Sequence, residues 1–169
     1  MGGTTMTTRR NILLGGAAVL GLGAVATYGV LANDARPEGD FPVSLSEEEW
    51  RARLSPAAYA VLRQGDTEPA FSSPLNDEKR AGTFHCGGCD QPLYSSETKF
   101  ESGTGWPSFW QPLDASRVGT KADYAMVIPR TEVHCANCGG HLGHIFDDGP
   151  EPTGKRHCLN GVALEFVAA

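Results

Sequence analysis

Polar and apolar positions divide the chain into four stretches. Residues 12–32 carry no charge, and residues 33–45 are polar and interrupted by Pro and Gly, a linker pattern. Two helix starts follow. Ser46 with Glu49 three places on has capping-box spacing, and Ser55-Pro56 joins an N-cap to proline at the first helical position, with Gly65 as the stop. From Thr83 onward, short runs rich in β-branched and aromatic residues alternate with Gly, Pro and Asp. They predict strands near Thr83–Cys86, Leu93–Ser95, Tyr124–Arg130, Glu132–His134, Lys155–Leu159 and Val162–Val167. Short helices leading into short strands predict one domain over residues 46–169, with a mainly β, antiparallel core.

Charge narrows the class of partner. The formal net charge is −6, and Arg9 and Arg10 are the only charged residues before the linker, so the folded part is more acidic than the whole. No cluster of Lys and Arg offers a surface to phosphates, which excludes nucleic acid as a partner. A charged start ahead of an apolar run is the layout of an export signal. The adjacent arginines resemble the twin-arginine class, so residues 1–32 are expected to be a signal peptide, ending at Val30-Leu31-Ala32, that sends the domain to the periplasm or another extracytoplasmic site. Residues 12–32 are also long enough to cross a bilayer core of about 30 Å, which leaves a retained membrane anchor open. The glycines in the run lower helix propensity and favour cleavage.

The cysteines add chemistry. Cys86-Gly-Gly-Cys89 and Cys135-Ala-Asn-Cys138 supply four sulfurs from two tight knuckles, the donor set that zinc takes as a tetrahedron of thiolates. Two disulfides in an oxidising compartment are the other reading. A c-type haem is excluded because Asp90 and Gly139, not His, follow the second cysteine of each pair.

Cys158 stands alone. On a strand, Arg156, Cys158 and Asn160 share one face while His157 and Leu159 share the other, and a neighbouring guanidinium favours the nucleophilic thiolate. A free cysteine packed as a small apolar residue is the bland alternative. His141-Leu142-Gly143-His144 follows the second knuckle directly, so the metal would fix a loop that presents two imidazoles, with Asp147 and Asp148 just beyond. The glycine-rich loop around Trp106 and Trp110 offers rings either to the core or to an apolar substrate group.

In order along the chain, the knuckle CGGC, then SGTGWPSF, CANCGGHLGHIFDDGP and RHCLN resemble the B-class peptide methionine sulfoxide reductases over about Leu54 to Val167. The resemblance implies two antiparallel sheets with short N-terminal helices. It implies one structural zinc on Cys86, Cys89, Cys135 and Cys138, and reduction of methionine-R-sulfoxide in oxidised proteins or peptides. It makes Cys158 the nucleophile, sets Trp106 on the substrate's S-methyl group, and places His141, His144 and Asn160 where the sulfoxide oxygen is protonated, with His144 favoured as the acid. Arg156 and Asp148 also fall on active-site positions. Many relatives carry a cysteine where this chain has Thr104. A thioredoxin-like or small-molecule thiol is therefore expected to reduce oxidised Cys158. The protein is expected to be a monomer. The competing reading is a zinc-stabilised binding module of related fold without catalysis.

Overall fold

The computed structural model describes residues 1–2, 39–126 and 128–169; the expected signal segment beyond its first two residues, and the linker up to residue 38, lie outside the described residues. Ser46 caps α1 (Glu47–Arg53) through a reciprocal pair: its hydroxyl accepts the Glu49 N–H, and the Glu49 carboxylate accepts the Ser46 N–H. Ser55 caps α2 (Pro56–Gln64), and Gly65 ends it at φ 71°, a left-handed conformation that glycine adopts without a Cβ clash. Trp50 of α1 and Tyr59, Val61 and Leu62 of α2 are buried, so both helices lie against the core.

The strands are β1 (Gly82–Cys86), β2 (Pro92–Ser95), β3 (Lys99–Phe100), β4 (Ser108–Phe109), β5 (Val118–Asp123), β6 (Arg130–Cys135), β7 (His141–Phe146), β8 (Arg156–Leu159) and β9 (Leu164–Ala168). They form a three-stranded sheet in the order β2-β1-β9 and a six-stranded sheet in the order β3-β4-β8-β7-β6-β5. Every pairing is antiparallel. The expected class, two antiparallel sheets behind short N-terminal helices, is the one observed. Phe84, Leu93, Tyr94, Phe109, Val133, Leu142 and Leu159 are fully buried. The Phe109 ring meets Phe84 at 4.9 Å and Tyr94 at 4.7 Å between centroids, which joins the two sheets. Each such ring removes enough apolar surface from water to contribute about 2–3 kcal/mol.

Three local expectations fail for identifiable reasons. Of the strand expected over Tyr124–Arg130, residues 124–126 and 128–129 lie in the connection between β5 and β6, and only Arg130 belongs to a strand, as the first residue of β6. Tyr124, Met126 and Ile128 alternate with other residues as strand residues would, yet they are 75 %, 60 % and 76 % exposed. The Asp123 carboxylate accepts the Ala125 N–H at 2.9 Å and turns the chain there. The stretch around His141 and His144, expected as a loop, is strand β7, paired on both edges. The last strand starts at Leu164 rather than Val162 because Gly161–Ala163 forms a 3-10 turn.

Candidate active site

The register of the large sheet builds the site. Lys121 pairs with Glu132, Glu132 with His144, His144 with Cys158, and Cys158 with Ser108, so these side chains form one row across five strands. Partners in an antiparallel pair point to the same face, so the cysteine and the histidine are adjacent on the surface that carries the chemistry. His157 and Leu159 point the other way, where the His157 ring nitrogen Nδ1 meets the buried Tyr94 hydroxyl at 2.9 Å.

His141 and His144 are three residues apart, a spacing that puts side chains on opposite faces of a regular strand. They nevertheless share a face. Val133 pairs with Gly143 but His134 pairs with His141, so Leu142 is an extra residue in β7 and the alternation slips by one. The two rings consequently stand 5.4 Å apart, edge to face. Gly143 is needed beside the bulge: a Cβ there would lie 2.0 Å from the Cys158 carbonyl oxygen.

Cys158, His144, Asn160 and Trp106 line one cavity of about 110 Å³, together with Thr67, Arg130 and Phe146 among others. His141 lines a neighbouring cleft instead, where its Nδ1 stands 3.0 Å from a Glu132 carboxylate oxygen. Arg156 and Asp148 do not line the cavity; they form a bidentate pair at 2.8 and 2.9 Å, with the guanidinium 4.4 Å over the ring of Phe146, which does line it. Trp106 is held by its indole N–H, which donates to the Glu68 main-chain oxygen at 3.0 Å. The Asn160 amide donates to the Leu142 oxygen and accepts the Glu68 N–H.

Burial pushes the Cys158 thiol above its ordinary value, and the Thr104 hydroxyl and the Arg156 guanidinium offset only part of that rise. Arg156 acts in the direction the sequence implied, and desolvation opposes it with the larger effect. Burial likewise lowers the His144 imidazole, with Asp123, 2.7 Å from its Nε2, opposing in part. Burial would raise the Asp123 carboxyl, but bonds from the Ala125 N–H, His144 and Arg130 hold it well below the usual carboxylate range. Glu68, Asp123 and Glu132 carry this scaffold and were not singled out from the sequence. Nothing local marks them, because a lone carboxylate in a polar stretch reads as solvated surface.

The four knuckle sulfurs form a separate group. They lie within 4.8 Å of one another, and none lines the Cys158 cavity. The Cys86–Cys138 and Cys89–Cys135 sulfurs are 3.7 and 3.6 Å apart. A disulfide needs about 2.05 Å, whereas the edge of a thiolate tetrahedron around zinc at about 2.3 Å is about 3.8 Å. The sulfurs therefore fit zinc and not two disulfides. Cys86 ends β1 and Cys135 ends β6, so the ion would tie one sheet to the other.

The SelR domain family matches residues 54–168. The chain is 50% identical over 130 residues to the peptide methionine sulfoxide reductase MsrB of Thioalkalivibrio sulfidiphilus, covering 77% of this chain and 95% of that protein. It is 53% identical over 124 residues to the protein of the same name from Methanosarcina barkeri, covering 73% and 87%. With that from Pseudomonas putida the identity is 54% over 119 residues, covering 70% and 90%.

Proposed function

Since the chain belongs to the SelR family of peptide methionine sulfoxide reductases, we propose that its reduction of methionine-R-sulfoxide runs through the Cys158 cavity. The activity and its consequence, repair of oxidised proteins, go with the family, as does a structural zinc on Cys86, Cys89, Cys135 and Cys138. Bound there, zinc supplies cross-linking of the two sheets.

The observation that carries the site assignment is the pairing of His144 directly opposite Cys158 in a cavity that Trp106 and Asn160 also line. In this reading Trp106 packs on the S-methyl group, and Asn160 and His144 face the sulfoxide oxygen. His144 is the acid because it lines that cavity and His141 does not. The Cys158–His144 pair shares a single proton. That proton passes through His144 to the sulfoxide oxygen as Cys158 sulfur attacks the substrate sulfur. The S–O bond breaks as an S–S bond forms, and the hydroxide released then attacks the Cys158 sulfur and displaces methionine, so Cys158 becomes a sulfenic acid. Sulfoxide is reduced by two electrons and Cys158 is oxidised by two.

Recovery needs a second thiol. Thr104 holds the place facing the nucleophile, its hydroxyl 3.9 Å from the Cys158 sulfur, and the other four cysteines belong to the metal cluster. An external thiol, small or thioredoxin-like, therefore condenses with the sulfenic acid, releasing water and leaving a mixed disulfide that a further thiol reduces. The twin-arginine pattern at Arg9-Arg10 supports export to the periplasm, and mass spectrometry of the mature N-terminus tests it. For the chemistry, a peptide containing methionine-R-sulfoxide is incubated with dithiothreitol and either wild type or Cys158→Ser. Methionine should form with wild type only. Equal product from both would remove Cys158 as nucleophile, and none from either would return the non-catalytic module.

A further inference from the structure

The cavity at Cys158, about 110 Å³, takes a side chain and no more, so the polypeptide that carries the sulfoxide must lie outside it. A cleft of about 480 Å³ adjoins it and shares Thr67, Arg130 and His144 with it. Gln64 and Gly65 at the end of α2 form one wall, and Lys121 to Ala125 of β5 and its turn form the other. Two residues that line this cleft, Arg130 and His141, each keep a buried side-chain nitrogen, Nε and Nε2, with no hydrogen-bond partner among the described residues. His141 is itself only 4 % exposed. The walls carry polar side chains, Gln64, Asp123 and Arg130 among them, which suit a peptide main chain, since it offers both donors and acceptors.

The turn beyond this wall has a second peculiarity. Tyr124, Met126 and Ile128 are three of the seven exposed large apolar side chains among the described residues, and they crowd into the β5–β6 connection. Tyr124 also lines the cleft. Methionine is ordinarily buried among apolar neighbours, and its oxidation disrupts such cores. Damaged substrate thus presents the sulfoxide flanked by exposed apolar residues.

We propose that this cleft and the apolar β5–β6 turn are a subsite for the extended polypeptide around the sulfoxide, with Met126 and Ile128 receiving an apolar residue next to it. The proposal rests on the reductase reading and adds its substrate preference.

The test compares kcat/KM, with dithiothreitol as reductant, for three R-sulfoxides: N-acetylmethionine sulfoxide, a peptide with leucines flanking the sulfoxide, and the same peptide with serines. Wild type should prefer the leucine peptide by about tenfold, the scale of one partly buried apolar side chain. Met126→Ser/Ile128→Ser should erase that preference and leave turnover of N-acetylmethionine sulfoxide unchanged. Absence of a preference in wild type, or its persistence in the double variant, would overturn the subsite. So would an equal loss on all three substrates, or a dimer in sedimentation that the substitutions dissociate while the preference stays. Failure of wild type to turn over any of the three would remove the reductase reading and the subsite with it.

Discussion

Trp106 and Glu68 are joined through the main chain, the indole N–H donating to the Glu68 carbonyl at 3.0 Å. The same glutamate fastens the far side of the cavity. Its own N–H donates to the Asn160 side chain at 3.0 Å, and its buried carboxylate accepts the N–H groups of Gly161 and Val162. Glu68→Ala would leave those two N–H groups without a partner, a loss of about 2–3 kcal/mol. Chemical denaturation should show that drop, while KM for a sulfoxide peptide should stay close to that of wild type, because the bonds to Trp106 and Asn160 come from the Glu68 main chain, which alanine keeps. Unchanged stability would deny the carboxylate its role.

Thr104 and Cys158 already stand at near contact, 3.9 Å from oxygen to sulfur. Thr104→Cys should therefore capture the sulfenic acid within the chain. Intact-mass measurement after one turnover without reductant should find an intramolecular disulfide in the variant, and a sulfenic acid or mixed disulfide in wild type. A disulfide in wild type would contradict the external-thiol scheme.

The metal cluster can be tested without any assay of catalysis. Purified protein should contain about one zinc per chain, and Cys89→Ser should lose it, because a structural site relies on all four thiolates. Loss of the cross-link between β1 and β6 should destabilise the fold by several kcal/mol. Elemental analysis alongside thermal unfolding reads both, and full stability in metal-free protein would assign the sulfurs another role.

The pH dependence of kcat/KM should follow the pair of proton sites. Proton transfer needs one proton shared by sulfur and imidazole, so the profile should be a bell. Its acid limb should lie below the ordinary histidine value of 6.5 and its alkaline limb above the ordinary thiol value of 9.0. Asp123→Asn removes the charge that raises His144, so the acid limb should move lower still. A profile unaffected by that change would exclude His144 from the proton transfer.

His157 predicts a stability effect distinct from catalysis. Burial, with Lys155 nearby, lowers its pKa from 6.5 to about 4, so the unfolded chain binds the proton first. Its contribution is complete above pH 6.5 and is lost as the pH falls through about 4, a loss on the order of 3 kcal/mol. His157→Asn should flatten the difference in urea midpoint between pH 7.5 and pH 4.5. Identical slopes in the two proteins would show that acid destabilisation arises elsewhere.

Local chemistry was legible in the chain. Ser46, Glu49, Ser55, Pro56 and Gly65 act on backbone groups within a turn of themselves, so the helix limits follow from spacing. The two Cys-x-x-Cys knuckles carry their own geometry in the same way. Tyr124, Met126 and Ile128 read as a strand because alternation alone cannot report whether a second layer covers them.

By itself the sequence determined the mainly β class, the two cysteine knuckles and the face shared by Arg156 and Cys158, because caps, knuckles and strand alternation are set by neighbours in the chain; the choice of zinc over disulfides came from the sulfur spacings. Only the tertiary structure decided that the bulge at Leu142 turns His141 and His144 to one face, that Glu68 anchors Trp106 and Asn160, and that burial outweighs Arg156 at the Cys158 thiol. Register and desolvation depend on groups brought together from distant parts of the chain, and no local pattern carries them.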